Sequence, residues 1–202
     1  DEIAGGSHDD LIYGGATGND TLNGEDGNDS LYGESGADYL SGGAGADSLY
    51  GGTEDDQLLG GEDDDRLEGG AGNDKISGGE SADYMDGGPG DDYLLAGAGA
   101  DSISGGEGRD IIYGDSSLHY GYLEISPGVA AEQLEIAFAD GLGAPGAFDD
   151  TIYAGAGQDT LWGELGNDAL YGEAGDDNLI GDRYSDTAYF AAELQVAVQG
   201  NA

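Results

Sequence analysis

A nine-residue period limits the possible folds of this 202-residue chain more than any other feature. From Gly5 the sequence divides into consecutive nonapeptides that reach Tyr113, with Gly14 as one extra residue. The period resumes at Pro145 and continues to Ile180, so that sixteen nonapeptides cover 144 residues. A fixed period of this kind predicts a solenoid, in which each repeat contacts only its neighbours.

Two positions of the repeat keep one chemical class throughout. The eighth position is always a large apolar residue, and glycine fills the first position thirteen times and the second and fourth positions eleven times each, as suits tight turns. Low-complexity sequence would not keep this spacing sixteen times, so we expect an ordered fold. The sixth position is always aspartate, and these side chains are the candidate metal ligands: Asp10, Asp20, Asp29, Asp38, Asp47, Asp56, Asp65, Asp74, Asp83, Asp92, Asp101, Asp110, Asp150, Asp159, Asp168 and Asp177.

The consensus G-G-x-G-x-D-x-U-x resembles the calcium-binding nonapeptide of the RTX (repeats-in-toxin) family. The segments that begin at Gly42 and Gly69 match it at every fixed position. The resemblance implies an all-β fold, a right-handed parallel β-roll. In such a roll two repeats make one coil, six residues of each repeat form a turn, three form a short strand, and the eighth residue points inward.

Calcium is the cofactor that this resemblance implies. Ca²⁺ takes six to eight oxygen ligands from carboxylates and carbonyls, so one aspartate per turn cannot complete a site. If each turn stacks on the second turn after it at about 4.8 Å, an ion between them can take one carboxylate from each. When the two blocks of repeats are counted separately, the two resulting columns hold about 12 ions.

The charge of the chain supports cation binding and excludes other partners. A formal net charge of −40, from 44 acids against four Lys and Arg, would repel a compact state unless cations neutralise it. Nucleic acid requires basic patches, and a membrane span requires about 18 apolar residues, so we expect neither partner. The absence of cysteine excludes disulfides and thiolate metal sites. Because the apolar core is thin, we expect calcium binding to supply folding free energy.

Interruptions of the period suggest four segments. Residues 5–113 form a β-roll block of twelve repeats, and residues 145–180 form four repeats that continue the roll. Between them, residues 114–144 are an insertion with strand character, and residues 181–202 are a degenerate repeat with a terminal strand or cap.

The insertion and the end of the chain share a pattern. Leu134, Ile136 and Phe138 alternate with polar or small residues as in a strand, and a similar apolar triplet occurs in 194–198. In the degenerate repeat Ala188 takes the eighth position. We interpret this as a larger unit that occurs twice in a longer array, with end-to-end or lateral self-association as one expected partner interaction.

Outward positions offer two further candidates. Position nine should align Tyr13, Tyr32 and Tyr50 in a file on one sheet, either as cross-strand stacking or as a ladder for a partner chain or glycan. On the other sheet we expect exposed apolar residues that form an interface, among them Trp162, Leu59 and Leu95. The fourth position is not glycine at His8, Glu54, Asp63, Ser81 and Phe148, and we expect these turns either to be strained or to coordinate calcium differently.

No catalytic motif is present, and the two histidines, His8 and His119, lie far apart in the repeat. We therefore expect no enzyme, but an extracellular calcium-binding structural module that calcium folds and stiffens, within a large secreted adhesin, surface or matrix protein. The alternative is the secretion and folding module of a type I-secreted enzyme or toxin, such as a lipase or protease, which the RTX resemblance also implies. A catalytic domain encoded upstream in the parent gene would favour the secretion module over the structural module.

Overall fold

The computed structural model of the chain describes residues 1–115, 150–163, 167–181 and 187–189. Within these ranges all regular secondary structure is β-strand, and no helix that could cross a membrane is found. The strands are β1 (Glu2–Ser7), β2 (Leu11–Gly15), β3 (Thr21–Asp26), β4 (Ser30–Ser35), β5 (Tyr39–Ala44), β6 (Ser48–Thr53), β7 (Gln57–Glu62), β8 (Arg66–Ala71), β9 (Lys75–Glu80), β10 (Tyr84–Pro89), β11 (Tyr93–Ala98), β12 (Ser102–Glu107), β13 (Ile111–Asp115), β14 (Thr151–Gly157), β15 (Thr160–Trp162), β16 (Ala169–Tyr171), β17 (Ala174–Gly175), β18 (Asn178–Ile180) and β19 (Thr187–Tyr189).

The strands form two parallel sheets. One contains the odd-numbered strands β1 to β15 followed by β18, and the other contains the even-numbered strands β2 to β16 followed by β19, with β17 beside β14. From β1 to β16 successive strands thus alternate between the sheets, and each pairs with the strand two places along the chain, as Leu22 pairs with Leu40. Two nonapeptides therefore make one coil, and the predicted parallel β-roll is confirmed.

The core is a double row of eighth-position side chains between the sheets. From Leu22 to Leu170 these side chains are at most 1% exposed. In strands such as β5 and β7 buried and accessible residues alternate, so that the first residue of the next repeat also faces inward. Ala188 pairs with Leu170, the register expected for an eighth-position residue.

Some residues lie elsewhere than the sequence predicts. Leu95, expected to be exposed, is only 8% exposed, and Leu59 and Trp162 are half-buried. Trp162 stacks on the outward ring of Tyr113, with ring centroids 4.6 Å apart, so that part of its surface is covered by its neighbour on the same sheet. The interface expected from exposed Trp162, Leu59 and Leu95 is therefore wrong for Leu95. The strand expected in the insertion, with Leu134, lies outside the described residues.

The repeat boundaries also differ at the start of the chain. Gly15 pairs with Glu34, a second-position residue, so that Gly14 rather than Gly15 holds the first position. The extra residue therefore belongs to the following turn. At the N-terminal end Ile3 pairs with Leu22 and packs against the core, which makes residues 1–4 the last part of a further repeat that the sequence analysis did not recognise.

Candidate metal centre

The sixth-position aspartates form two columns along the edges of the roll. All of them are buried except Asp10, which is half-buried. After the first aspartate of each column, every carboxylate Oδ1 accepts a hydrogen bond from the backbone N–H of the aspartate one coil earlier, at 2.7 Å from Asp29 to Asp47 and from Asp47 to Asp65. Column one contains Asp10, Asp29, Asp47, Asp65, Asp83, Asp101, Asp150 and Asp168, and column two contains Asp20, Asp38, Asp56, Asp74, Asp92, Asp110, Asp159 and Asp177.

The second oxygen of most of these carboxylates is buried and accepts no hydrogen bond. A buried acceptor without a hydrogen bond costs about 1–3 kcal/mol, and more when it carries charge. A row of such atoms therefore indicates a cation site in which these oxygens would be ligands. The buried oxygens without a hydrogen-bond partner are Oδ2 of Asp20, Asp29, Asp38, Asp47, Asp56, Asp65, Asp74, Asp83, Asp92, Asp101, Asp110, Asp150, Asp159 and Asp168.

In the repeats that begin with glycine, Oδ2 lies against that first-position glycine. A Cβ placed on Gly42 would lie 2.2 Å from Oδ2 of Asp47 and 2.8 Å from the carbonyl oxygen of Gly60, one coil further. Carboxylate and carbonyl oxygens, the two ligand types that calcium prefers, thus converge from adjacent coils. None of the described first-position glycines has a positive φ, so glycine is favoured here by the lack of space and not by the backbone conformation.

Burial shifts the acid–base behaviour of the columns. Desolvation raises the pKa of Asp83 to about 8, a backbone hydrogen bond with Asp65 opposes the shift, and the negative charges of Asp101 and Asp65 increase it. Burial likewise raises the pKa of Asp92 to about 8 and that of Asp47 to about 6. Stacked carboxylates of this kind resist full ionisation at neutral pH unless a cation neutralises them.

A calcium ion fits this donor set. Among the described residues no three His, Cys, Asp or Glu side chains converge on one point. Each coil places only one sixth-position carboxylate on each edge, so an ion between two coils meets two of them and must take its remaining ligands from backbone carbonyls. Calcium accepts such a mixed oxygen shell, whereas zinc prefers nitrogen and sulfur ligands.

The columns continue across the insertion. The backbone N–H of Asp101 donates to Oδ1 of Asp150 at 2.9 Å, and that of Asp110 donates to Oδ1 of Asp159 at 2.8 Å. A Cβ on Gly114 would lie 2.2 Å from Oδ2 of Asp150, so Gly114 fills the first position that the sequence analysis assigned to Pro145. Residues 116–149 are therefore inserted within one turn of an uninterrupted stack.

The turns contain two further features, positive φ values at the fourth position and a second ladder of hydrogen bonds at the fifth. Glu54 and Asp63 adopt φ values of 82° and 72°, which supports the expected strain at the fourth position. Position five forms an exposed second ladder, in which Oδ1 of Asp55 accepts the N–H of Asn73 at 2.8 Å, and Oδ1 of Asn73 accepts that of Asp91 at 2.9 Å. The frequency of Asn and Asp at position five was the available signal for this ladder.

The tyrosine file is present on the sheet that contains the even-numbered strands. The rings of Tyr13, Tyr32 and Tyr50 stack with centroids 4.9 and 4.8 Å apart. Tyr153 and Tyr171 repeat the arrangement at 4.6 Å. Because the ring faces cover one another, the file presents ring edges and hydroxyls outward, which supports cross-strand stacking and leaves few open faces for a sugar.

Comparison with known proteins identifies the repeat. A family model described as the RTX calcium-binding nonapeptide repeat (four copies) matches the chain eight times. The family model matches residues 1–17, 15–49, 32–66, 50–85, 59–94, 86–117, 146–179 and 171–189. A search of curated proteins found no match.

Proposed function

Since the chain belongs to the family of RTX calcium-binding nonapeptide repeats, we propose that it is an extracellular structural module that folds and stiffens when calcium fills its two aspartate columns. The observation that carries the proposal is the row of buried Oδ2 atoms that accept no hydrogen bond, which runs from Asp20 to Asp110 in the two columns. All sixteen sixth-position aspartates are proposed as ligands, with first-position carbonyls from the adjacent coil as further donors. When bound, calcium supplies the positive charge that lets stacked carboxylates remain ionised inside the roll.

The number of ions follows from the continuity of the columns. Fourteen hydrogen bonds link adjacent aspartates, including the two that cross residues 116–149. With one ion for each linked pair, the proposed number rises from about 12 to about 14. Fourteen divalent ions would remove 28 of the 40 net negative charges.

Coupling between binding and folding follows from the same contacts. In the roll each aspartate is surrounded by like charges and has lost its water, whereas an extended chain separates and hydrates the carboxylates. Calcium binds the stacked arrangement and not the separated one, so its binding free energy becomes folding free energy. This favours a site of use outside the cell, where calcium is abundant enough for modules with dissociation constants of about 10⁻⁴–10⁻³ M. We propose that the module serves within a large adhesin, surface or matrix protein.

Circular dichroism tests the proposal directly. In excess chelator the chain should give the spectrum of a largely unfolded polypeptide, and millimolar calcium should restore a β-sheet signal cooperatively. Magnesium at the same concentration should be a poor substitute, because it demands compact octahedral coordination. A β-rich spectrum in chelator that calcium leaves unchanged would refute the coupling of folding to calcium.

A further inference from the structure

Two turns of the stack have alanine instead of glycine at the first position. Ala96 and Ala154 are both fully buried, at 0% exposure. The carbonyl oxygen of Ala96 lies 2.6 Å from the Cβ position of Gly78, and that of Ala154 lies 2.5 Å from the Cβ position of Gly105. Both alanines therefore occupy the same place in the columns as the glycines, with one such residue in each column.

The methyl groups of Ala96 and Ala154 point into the space that a carboxylate oxygen occupies at the glycine-bearing turns. At the fourteen glycine-bearing turns of the described chain, the Cβ position is only 2.2–2.8 Å from Oδ2 of the aspartate in the same repeat. A carbon and an oxygen atom that are not bonded cannot approach so closely, since contacts between heavy atoms are optimal near 3.5–4.0 Å. In the repeats with Ala96 and Ala154 the carboxylates of Asp101 and Asp159 must therefore lie differently.

These two aspartates still belong to the columns. They are 3% and 1% exposed, and Oδ2 of each has no hydrogen-bond partner. Oδ1 of Asp101 accepts the N–H of Asp83 at 2.8 Å, so the hydrogen-bonded ladder is intact, and the second oxygen has to make room for a methyl group that glycine-bearing turns lack. A ligand held in this way can reach an ion only with a shift of the carboxylate or of the coil.

We propose that Ala96 and Ala154 make Asp101 and Asp159 the weakest calcium positions of the roll, with a binding constant about tenfold lower than at glycine-bearing turns, as expected from one extra methyl group in a packed site. The inference rests on the proposed calcium columns. Both positions adjoin the coil into which residues 116–149 are inserted. As calcium falls, the roll should therefore release its ions first beside this insertion, while the coils at a distance from it stay filled.

Equilibrium dialysis with radioactive calcium tests the inference. The double variant Ala96→Gly/Ala154→Gly is compared with the unchanged chain over a range of free calcium above the folding transition. At intermediate calcium, the double variant should bind up to four ions more per chain, because Asp101 and Asp159 each border two proposed ion positions, and both should reach the same saturation. Coincident binding curves would overturn the inference.

Two further variants separate the methyl effect from general changes. Ala44→Gly/Ala71→Gly makes the same chemical change at third-position residues that are not fully buried, and it should leave the curve unchanged. Gly60→Ala introduces a methyl where φ is not positive and should create a third weak position. A binding curve for Gly60→Ala that matches the unchanged chain would contradict the inference. If the unchanged chain binds no calcium at all, the proposed function itself fails, whereas a single uniform affinity for all sites removes only this inference.

Discussion

The substitution Asp65→Asn separates the role of Asp65 as a calcium ligand from its role in the hydrogen-bonded ladder. Asp65 is 4% exposed, Oδ1 accepts the N–H of Asp47 at 2.7 Å, and Oδ2 has no partner. An asparagine has the same shape and keeps an oxygen for the N–H of Asp47, but it replaces the second oxygen and the negative charge. The change therefore removes the ligand and leaves the ladder in place.

The expected loss of stability can be estimated from the number of ions involved. Asp65 lies between Asp47 and Asp83 in column one, so it borders two proposed ion positions, whereas Asp10 borders only one. With 10 mM calcium and a dissociation constant of about 10⁻⁴ M, each bound ion stabilises the fold by about 2.7 kcal/mol. Asp65→Asn should thus cost about 5 kcal/mol, and Asp10→Asn about half as much.

Urea unfolding in 10 mM calcium, followed by circular dichroism, measures these differences. Asp64→Asn is the matched control, because Asp64 is exposed, its Oδ1 accepts the N–H of Ala82 at 3.0 Å, and it lies outside the columns. The same change of charge should there alter stability by less than about 1 kcal/mol. An equal effect of Asp64→Asn and Asp65→Asn would refute the reasoning, as would equal effects at Asp65 and Asp10.

Three other perturbations test separate parts of the structure. Lowering the pH from 8 to 5 should raise the calcium concentration needed to half-saturate the columns in equilibrium dialysis, because burial raises the pKa of Asp83 to about 8 and that of Asp47 to about 6. A raised carboxyl pKa means that the metal-free roll binds more protons than the unfolded chain, so acid stabilises the metal-free roll and protons compete with calcium for it; half-saturation at a calcium concentration independent of pH would contradict this. Leu67→Ala, at a fully buried core position, should cost about 2–5 kcal/mol in urea unfolding, while a loss below 1 kcal/mol would show that the core contributes little. Glu54→Gly should raise the urea midpoint by relieving the positive φ of 82°, by about 1 kcal/mol, and Glu54→Gln, which removes only the charge, should not.

Much of the fold and of the candidate site follows from spacing within one nonapeptide. A side chain two places after an aspartate lies on the inner side of the next strand, so the repeat predicts both the apolar row and the aspartate columns. The register is equally local, because a slip of one residue would turn every eighth-position side chain, such as Leu40, toward solvent. These features could be predicted because each repeat contains them in full.

Contacts between coils were decided only by the tertiary structure. The sequence assigns Asp150 to a repeat that begins at Pro145, yet in the stack Gly114 takes that place, because the inserted residues interrupt a turn and leave the strand pairing intact. Likewise, Gly14 holds the place expected for Gly15, since pairing with the neighbouring coil determines which of two adjacent glycines faces inward.

The two oxygens of each aspartate carboxylate also show the difference between what the nonapeptide determines and what the stacked coils determine. The sequence determined the type of ligand, its spacing and its number per coil, because these depend on nine consecutive residues. Only the stack determined which oxygen of Asp47 accepts a backbone N–H and which lies against Gly42, since the N–H comes from the adjacent coil. Burial of Leu95 was likewise beyond the reach of the repeat, because exposure of an outward residue depends on what the rest of the chain places over it.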